Sequence, residues 1–494
     1  MTHLPQRSLC ALLGLQLLLS ACSARAHMPE PAQPAPWPQP QPQVWPGPAV
    51  VQPNFHAPSA PHCARPVQTR EVPGRDSHAQ APEYAPATTR ARRDAPPVAA
   101  ALAEAAAPAM ADRATAAAGA GAPAAGKSGS WPRPLPAPPP TAPAQVQRAE
   151  AAPVTAGMVD DNADFSAYLA FRQRTPVIHR PRDVSERHLL TVRDAIGRAV
   201  PDAEVAVQSA RGAAMWARTD TAGQVWLHPN AFDPARSSFY DVTVRKNGTQ
   251  AAAVLRRGQK SAVEVVLDSR AAPARARLDL VFLIDATGSM SDEIDKLKAT
   301  LQAIASEVAR LPSQPDLCFG MVAYRDRGDA FLLRSHDLTN DVAGFQGVLN
   351  ALQAGGGGDY PEALNEALNE AVHNLSWRGD GATRLLVLLA DAPPHLDYGG
   401  PQYDNDMAAA LGKGIKIFSV GASGLDKQGE YIQRQIAQYT GGRFVFLTYD
   451  QARNPASGPG RETVHDVRNY SVDTLDRLIV RLVGEELGRL PRAG

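Results

Sequence analysis

Oxygen-bearing side chains follow an apolar run in the stretch that reads LDLVFLIDATGSMS. In a tight loop behind that run, Asp285, Thr287 and Ser289 occupy alternate positions, so one carboxylate and two hydroxyl groups can face a single point. Two further carboxylates stand in comparable places: Asp359 in the glycine-rich GGGGDYPEAL, and Asp391 at the end of RLLVLLAD. A small all-oxygen ligand set, completed by water, suits a hard divalent ion, above all Mg²⁺ or Mn²⁺.

The stretches that must position these residues alternate between strand-like and helix-like patterns. Continuous apolar runs such as LDLVFLID, CFGMVAYRD, RLLVLLAD and KIFSVGA predict buried strands, and apolar residues at steps of three and four between them predict helices. Buried strands with intervening helices are typical of a mostly parallel sheet covered on both faces, that is, a doubly wound α/β fold. In such sheets ligands bind at the carboxyl ends of the strands, where we expect Asp285 and Asp391.

These three segments, in this order on this strand pattern, resemble the von Willebrand factor type A domain with its metal-ion-dependent adhesion site. The resemblance spans residues 276–487. Four positions match the family's D-x-[ST]-x-S motif and its later aspartate: Asp285, Thr287, Ser289 and Asp391. The resemblance implies that these residues hold Mg²⁺, with Mn²⁺ or Ca²⁺ as alternatives. It also implies a protein ligand whose acidic side chain completes the coordination of the metal.

Asp359 departs from the family's pattern, in which many members have a threonine in the second loop. One interpretation is that its carboxylate binds the metal in place of the hydroxyl, directly or through water. The site would then hold three carboxylates, so we expect it to bind the ion firmly and to attract an acidic partner weakly. The other interpretation is that Asp359 only caps the helix predicted from Pro361 to Leu375, because an Asp before a helix commonly accepts hydrogen bonds from the first amides.

The first residues of the chain predict export. The short apolar run CALLGLQLLLS fits a signal peptide at residues 1–21. The sequence LSAC that ends at Cys22 resembles a bacterial lipobox, which implies lipidation of Cys22 and a membrane anchor. The alternative is cleavage after Ala26 at an A-x-A site, which would release a soluble protein. We therefore predict a lipid-anchored protein of the bacterial cell envelope, at the outer membrane or cell surface, or else a secreted or periplasmic one.

Residues 22–157 have the composition of a spacer. Residues 27–157 contain 28 of the chain's 44 prolines, together with long alanine runs and few large aliphatic residues. Such a segment cannot bury enough apolar area to offset its ordering entropy, so we predict a disordered tether. Cys63 lies within it and Cys318 lies in an apolar run far along the chain, and we expect these two cysteines not to form a disulfide.

Residues 158–270 predict a small second domain. A short amphipathic helix begins near Asp164, and alternating apolar and polar stretches with turn signals about every eight to twelve residues indicate an antiparallel sandwich. The stretches VRDAIG, VPDAEVAV and TDTAG resemble the carboxypeptidase regulatory-like family of β-sandwiches. That resemblance implies a spacer or interaction module without chemistry of its own.

Composition and missing motifs limit the classes of function. The chain has 50 Lys and Arg residues and 50 Asp and Glu residues, and this zero net charge argues against nucleic-acid binding and against a polybasic membrane arm. No G-x-S-x-G elbow or P-loop occurs, and an aspartate-based phosphatase would need a second Asp where Thr287 stands. We therefore expect no enzyme, but metal-dependent binding of a protein partner in adhesion or assembly. The alternatives are a passive envelope scaffold whose metal is only structural, and a hydrolase that uses His395 as its base.

Overall fold

The computed structural model describes residues 63, 67–74, 153–268, 275–358, 360–379 and 381–491. The predicted signal peptide, Cys22, most of the predicted tether and Asp359 lie outside these residues. Within the described part, no helix is both long enough and apolar enough to cross a membrane.

The described elements are numbered in chain order. The strands are β1 Thr69–Val72, β2 Thr155–Val159, β3 His188–Arg193, β4 Glu204–Ser209, β5 Ala214–Arg218, β6 Gln224–Leu227, β7 Phe239–Lys246, β8 Thr249–Arg256, β9 Val263–Val266, β10 Arg277–Asp285, β11 Asp316–Tyr324, β12 Leu333–Thr339, β13 Ala382–Ala390, β14 Ile415–Gly421, β15 Phe444–Gln451, β16 Asn454–Pro459 and β17 Asp473–Thr474. The helices are α1 Phe165–Arg174, α2 Pro229–Phe232, α3 Ser291–Ala309, α4 Val342–Ala351, α5 Leu364–His373, α6 Tyr403–Lys413, α7 Lys427–Tyr439 and α8 Leu475–Gly488.

The largest sheet has the strand order β1-β12-β11-β10-β13-β14-β15-β2-β17, with β16 paired to β15. Its middle is parallel, since β10 pairs with β11 and β13, β13 with β14, and β14 with β15. Antiparallel strands flank this middle on both sides. The predicted mixed α/β fold with a mostly parallel central sheet is therefore confirmed for this part of the chain.

The central strand β10 shows why its apolar run is uninterrupted. Phe282 belongs to a hydrophobic cluster that includes Leu297 of α3, whereas its neighbour Leu283 belongs to a second cluster that includes Leu368 of α5 and Ile432 of α7. Successive side chains of a strand point to opposite faces of the sheet. Because helices cover both faces, the strand is apolar at every position from Leu280 to Ile284. Nearer its start, the buried Asp279 is accommodated by an ion pair with Arg378.

Two smaller sheets precede the central strands in sequence. One has the order β6-β3-β9 and the other β5-β4-β7-β8, and buried side chains of both, such as Leu190 and Val205, belong to one hydrophobic cluster. Helix α1 lies before them, and Oδ1 of its N-cap residue Asp164 accepts a hydrogen bond from the amide of Ala167 at 3.1 Å. The helix predicted near Asp164 is thus confirmed, while membership of the carboxypeptidase regulatory-like family stays a prediction.

A buried carboxylate joins the smaller sheets to the large one. Asp202 Oδ1 accepts from Arg218 Nη1 at 3.1 Å and from Arg384 Nη1 at 2.9 Å, and Oδ2 accepts from the amide of Gly381 at 2.7 Å. Arg218 is the last residue of β5. Gly381 lies just before β13, and Arg384 lies within β13. Burial acts to raise the pKa of Asp202, but the charges of Arg384 and Arg218 lower it to about 2. The two parts of the chain are therefore held together by a charged contact as well as by apolar packing.

The prediction of a disordered tether throughout residues 22–157 is wrong for two segments. Strand β1 pairs antiparallel with β12 at one side of the large sheet, and β2 lies between β15 and β17. Side chains support the first pairing, because Arg70 forms an ion pair with Glu370 and Glu71 forms one with Arg334. An unpaired strand edge exposes amide and carbonyl groups that seek partners. Strand β1 supplies these partners to β12. Composition alone does not reveal this pairing.

The expectation about the cysteines is also wrong, since Cys63 and Cys318 form a disulfide. Both residues are buried, and their Cα atoms are 6.1 Å apart. The amide of Asn340, just after β12, donates to the carbonyl of Cys63 at 2.6 Å. The two cysteines are separated by 255 residues in sequence, so only the pairing of β1 with β12 brings them together.

Removing this disulfide should loosen β1 from the sheet. We expect the double variant Cys63→Ala, Cys318→Ala to lose about 2–5 kcal/mol of stability, the usual range for a native disulfide. The amides of Leu332 and Asp337, which donate to Val72 and Gln68, should exchange with solvent faster. Hydrogen exchange resolved by mass spectrometry measures this, and the reduced wild-type protein should match the double variant. Unchanged exchange at both amides would show that β1 stays docked without the disulfide.

Candidate metal centre

Four of the predicted ligand residues meet at the carboxyl edge of the large sheet. Asp285 is the last residue of β10, and Asp391 directly follows β13, the parallel neighbour of β10. Thr287 and Ser289 lie in the turn that leads from β10 into α3. The structure thus brings together Asp285, Thr287, Ser289 and Asp391, although their role as metal ligands stays a prediction.

Hydrogen bonds connect three of these side chains. Asp285 Oδ1 accepts from the amide of Thr287 at 3.0 Å and from the hydroxyl of Thr287 at 2.7 Å. The hydroxyl oxygens of Thr287 and Ser289 are 3.0 Å apart. Asp285 Oδ2 accepts a hydrogen bond from Tyr324 Oη at 3.3 Å. Asp285 and Thr287 are buried and Ser289 is exposed, so this cluster of oxygen atoms reaches solvent at Ser289.

Glycines allow the second loop to pack closely against the first. The amide of Gly288 donates to the carbonyl of Gly356 at 3.0 Å, which joins the two loops. Gly357 has a φ of +71°, a region that favours glycine. A Cβ atom at Gly357 would lie 2.7 Å from Glu362 Oε1 and 3.0 Å from Thr287 Cβ. A side chain at this position would therefore push Glu362 away from the site.

Buried carboxylates repel one another at this edge. Burial, and next the charge of Asp391, raise the pKa of Asp285 to about 7. Burial also raises the pKa of Asp391, and a hydrogen bond from Ser289 opposes this effect. Burial and the charge of Asp285, followed by other nearby carboxylates, raise the pKa of Glu362 to about 9. A cation bound among these groups would favour their charged forms and relieve the repulsion.

Two carboxylate oxygens at this site lack hydrogen-bond donors, and a cation could take the place of those donors. Asp391 Oδ1 and Glu362 Oε2 are buried and have no hydrogen-bond partner among the described residues. Buried polar atoms are normally paired, and oxygen atoms left without donors next to two hydroxyl groups suit a hard divalent ion. In the part of the chain that the structure describes, no group of three or more His, Cys, Asp or Glu side chains could hold a metal ion. The hydroxyl oxygens of Thr287 and Ser289 would therefore have to be part of the ligand set.

The capping alternative for Asp359 does not agree with the helix that follows. Asp359 itself lies outside the described residues, so its contact with a metal stays a prediction. Helix α5 begins at Leu364 and its N-cap residue is Ala363, so the helix starts later than the predicted Pro361. The amide of Glu362 instead donates to the carbonyl of Pro393 at 3.1 Å. This pairing with the segment behind β13 holds residue 362 outside the helix.

Two residues near the centre were missed by sequence reasoning. Glu362 falls inside the helix predicted from Pro361 to Leu375, and no contact between Tyr324 and Asp285 was predicted. Tyr324 is the last residue of β11 and pairs in register with Asp285, so its position at a strand end was the available signal. Nothing in the sequence around Glu362 shows that its loop folds back against the glycines.

His395, the residue considered as a catalytic base, has structural contacts. Its Nε2 atom lies 3.1 Å from Asp326 Oδ1, and its carbonyl accepts a hydrogen bond from the side chain of Asn365. The ring is buried. These contacts connect the segment that follows β13 in sequence to the loop that follows β11 and to α5.

Residues 279–395 match the family model of the von Willebrand factor A domain. This match supports a von Willebrand factor A domain in this part of the chain. The matched range includes all four residues that meet at the sheet edge, and it ends at His395. The resemblance that the sequence motifs suggested is therefore supported for this part of the chain.

Curated relatives match over parts of their length. Alpha-protein kinase vwkA of Dictyostelium discoideum is 28% identical over 138 residues, which are 28% of this chain and 22% of that protein. Integrin beta-6 of Rattus norvegicus is 23% identical over 221 residues, 39% of this chain and 27% of that protein. This chain thus spans about a quarter of the length of these two relatives. Among solved structures, the pilus adhesin SpaC of Lactobacillus rhamnosus GG matches at 15% identity with a TM-score of 0.27, over 42% of this chain and 31% of the adhesin chain.

Proposed function

We propose that this protein binds another protein through a divalent cation held by its von Willebrand factor A domain. The ligand set would be Asp285, Thr287, Ser289 and Asp391, with Mg²⁺ as the expected ion and Mn²⁺ or Ca²⁺ as alternatives. The observation that carries this proposal is Asp391 Oδ1, a buried carboxylate oxygen without a hydrogen-bond partner among the described residues. The similarity to integrin beta-6 supports a role in protein interaction or adhesion.

The residues of the site have different roles in this proposal. Asp285 and Asp391 would supply the negative charge, while Tyr324 and the amide of Thr287 orient the carboxylate of Asp285. Ser289, the exposed member, lies on the side from which a partner would approach. A bound ion would offer an open coordination position to an acidic side chain of the partner. Because positioning and charge suffice for such binding, the proposal assigns no catalytic residue.

Nearby carboxylates would tune the charge of the centre. Glu362 is already close enough for the charge of Asp285 to raise its pKa, and Asp359 is the predicted third carboxylate. We propose that added negative charge strengthens metal binding and weakens the attraction for an acidic partner. The site would then bind its metal ion with higher affinity than a site with only two carboxylates.

The neighbouring carboxylates can be compared by one pair of variants. We expect Asp359→Ala to weaken Mg²⁺ binding about 10- to 100-fold if this residue is a ligand or holds a ligated water, the range for groups around a metal. Glu362→Gln should weaken it by about tenfold, because a bound cation favours the charged form of Glu362 and the amide keeps the shape without that charge. Titration calorimetry with Mg²⁺ measures both. If Asp359→Ala leaves the affinity unchanged, the third-carboxylate idea is wrong.

We further propose that the protein is exported and anchored in the bacterial cell envelope by a lipid on Cys22. The lipobox-like LSAC supports this, and the Pro- and Ala-rich residues that follow would hold the folded part away from the membrane. Mass spectrometry of the mature N-terminus tests the anchor. A lipid-modified Cys22 is the expected result, and an unmodified N-terminal His27 would contradict it.

The main alternative is a scaffold in which the metal only fastens loops together. A pull-down from native envelope extract separates the two functions, because a metal-bridged partner should be lost in EDTA and return with Mg²⁺. The variant Asp285→Ala should lose the same partner, whereas Asp295→Ala, a change at a largely exposed aspartate of the next helix, should keep it. A partner retained both in EDTA and by Asp285→Ala would favour the scaffold. A hydrolase gains little support, since the ring of His395 is buried against Asp326.

A further inference from the structure

A cavity of about 350 Å³ lies at the start of α3, bounded by the end of β15, by β16 and by the segment that leads into β2. Its walls are mainly apolar and include Val154, Leu297, Leu447 and Pro455. Glu293, four residues behind Ser289, also lines it. The volume is near the lower end of the roughly 300–1,000 Å³ typical of small-ligand sites, so the cavity suits one ring or a short alkyl chain.

The two carboxylate oxygens of Glu293 are used unequally. Oε1 accepts hydrogen bonds from Tyr449 Oη at 2.6 Å, from the amide of Ser423 at 3.1 Å and from the hydroxyl of Ser423. Oε2 is buried and has no hydrogen-bond partner in the described part of the chain. The residue is only 5% exposed. The contacts on Oε1 fix the carboxylate in place and leave Oε2 as an acceptor.

The charge of Glu293 is not balanced by a nearby cation. Its three donors are neutral groups, and within the described residues it forms no ion pair. Lys296 lines the same cavity, but its side chain is partly exposed, so its ammonium group can remain in solvent. A buried carboxylate without a counter-ion is costly, and a ligand that brings a cation would remove much of that cost.

We propose that this cavity binds an organic ammonium group carried on an apolar stem, with Glu293 Oε2 as its anchor. The ammonium would donate a charge-assisted hydrogen bond to Oε2, and the stem would pack against Leu297 and Leu447. A small free amine and the lysine side chain of a partner protein share this chemistry. The site does not use Asp285 or Asp391 as contacts for the ligand. It is close enough to the proposed metal centre that, besides burial, the charge of Asp391 acts to raise the pKa of Glu293.

The test is a calorimetric titration of the full chain with 2-phenylethylammonium in saturating Mg²⁺. Saturable binding is expected, and the neutral 2-phenylethanol should bind at least tenfold more weakly. Glu293→Gln should weaken the binding of 2-phenylethylammonium at least tenfold, because the amide keeps an acceptor for Ser423 and Tyr449 but loses the charge. Asp295→Asn, a change at an exposed carboxylate of the same helix, should leave the affinity unchanged.

A second variant covers the case in which Glu293→Gln fails to fold. Ala456→Phe places a ring in the cavity from an exposed lining position and leaves Glu293 untouched, so it should abolish binding. Saturable binding should persist when the titration is repeated in EDTA. A titration with N-acetyl-lysine-N-methylamide distinguishes the sources, because tighter binding than 2-phenylethylammonium indicates a partner's lysine and weaker binding indicates a free amine. Absence of saturable binding, equal binding of the alcohol, full affinity in Glu293→Gln or loss in EDTA would each overturn the proposal.

Discussion

Mg²⁺ at a hundredfold excess over its Kd should stabilise the wild-type protein by about 2.7 kcal/mol, because the ion binds the folded state and not the unfolded chain. The physical reason lies in the buried carboxylates of Asp285 and Asp391, whose pKa values are raised by burial and, for Asp285, by the charge of Asp391. Asp285→Ala should abolish this stabilisation and weaken Mg²⁺ binding by at least about 100-fold, more than is usual for residues that only support a ligand. Thermal or denaturant unfolding with and without Mg²⁺ measures the effect.

The same variant carries a second signature that separates a metal ligand from a merely structural residue. Without Mg²⁺, Asp285→Ala should be as stable as the wild type or more stable, since it removes one of two mutually repelling buried charges. Asp295→Ala should respond to Mg²⁺ like the wild type, because its side chain is 85% exposed. If Mg²⁺ stabilises Asp285→Ala as much as the wild type, the proposed centre is wrong.

Asp202→Asn is expected to lower the free energy of unfolding by about 3–5 kcal/mol near neutral pH, the usual cost of breaking a buried ion pair. The amide would leave Arg384 and Arg218 without their shared counter-charge, and it would weaken the contact between the smaller sheets and β13. Denaturant unfolding measures this loss. Asp241→Asn, a change at an exposed position of β7, serves as the matched control and should have little effect.

The contribution of Asp202 to the free energy of unfolding also depends on pH. Its pKa is about 2 in the folded protein, whereas the ordinary value, which applies to the unfolded chain, is 3.8. As the pH falls, the unfolded chain therefore takes up a proton before the folded protein does. The contribution of Asp202, about 2.5 kcal/mol, is fully present above about pH 5 and is lost as the pH falls toward 2. Lys246 and Glu204 are further charged groups near this cluster. The difference in stability between wild type and Asp202→Asn should therefore shrink between pH 5 and pH 2.5, and a constant difference would contradict the assignment.

The sequence by itself determined the sheet and most of the candidate centre. Runs such as LVFLI, residues 280–284, are apolar at every position because both faces of a parallel sheet are covered, and this pattern is visible without coordinates. Asp285, Thr287 and Ser289 are close in sequence, so a short loop suffices to bring their oxygen atoms together. Asp391 ends a second apolar run, and parallel strands place their carboxyl ends at one edge.

Only the tertiary structure decided the contacts between segments far apart in sequence. Strand β1 and the disulfide between Cys63 and Cys318 depend on the open edge of β12, and no local pattern within residues 22–157 announces such pairing. Glu362 reaches the centre because its amide pairs with Pro393 and because Gly357 leaves room for its carboxylate. Asp202 meets Arg384 across two parts of the chain. Each of these contacts gains its energy from burial and pairing that exist only after the elements have packed, and periodicity within one segment does not encode them.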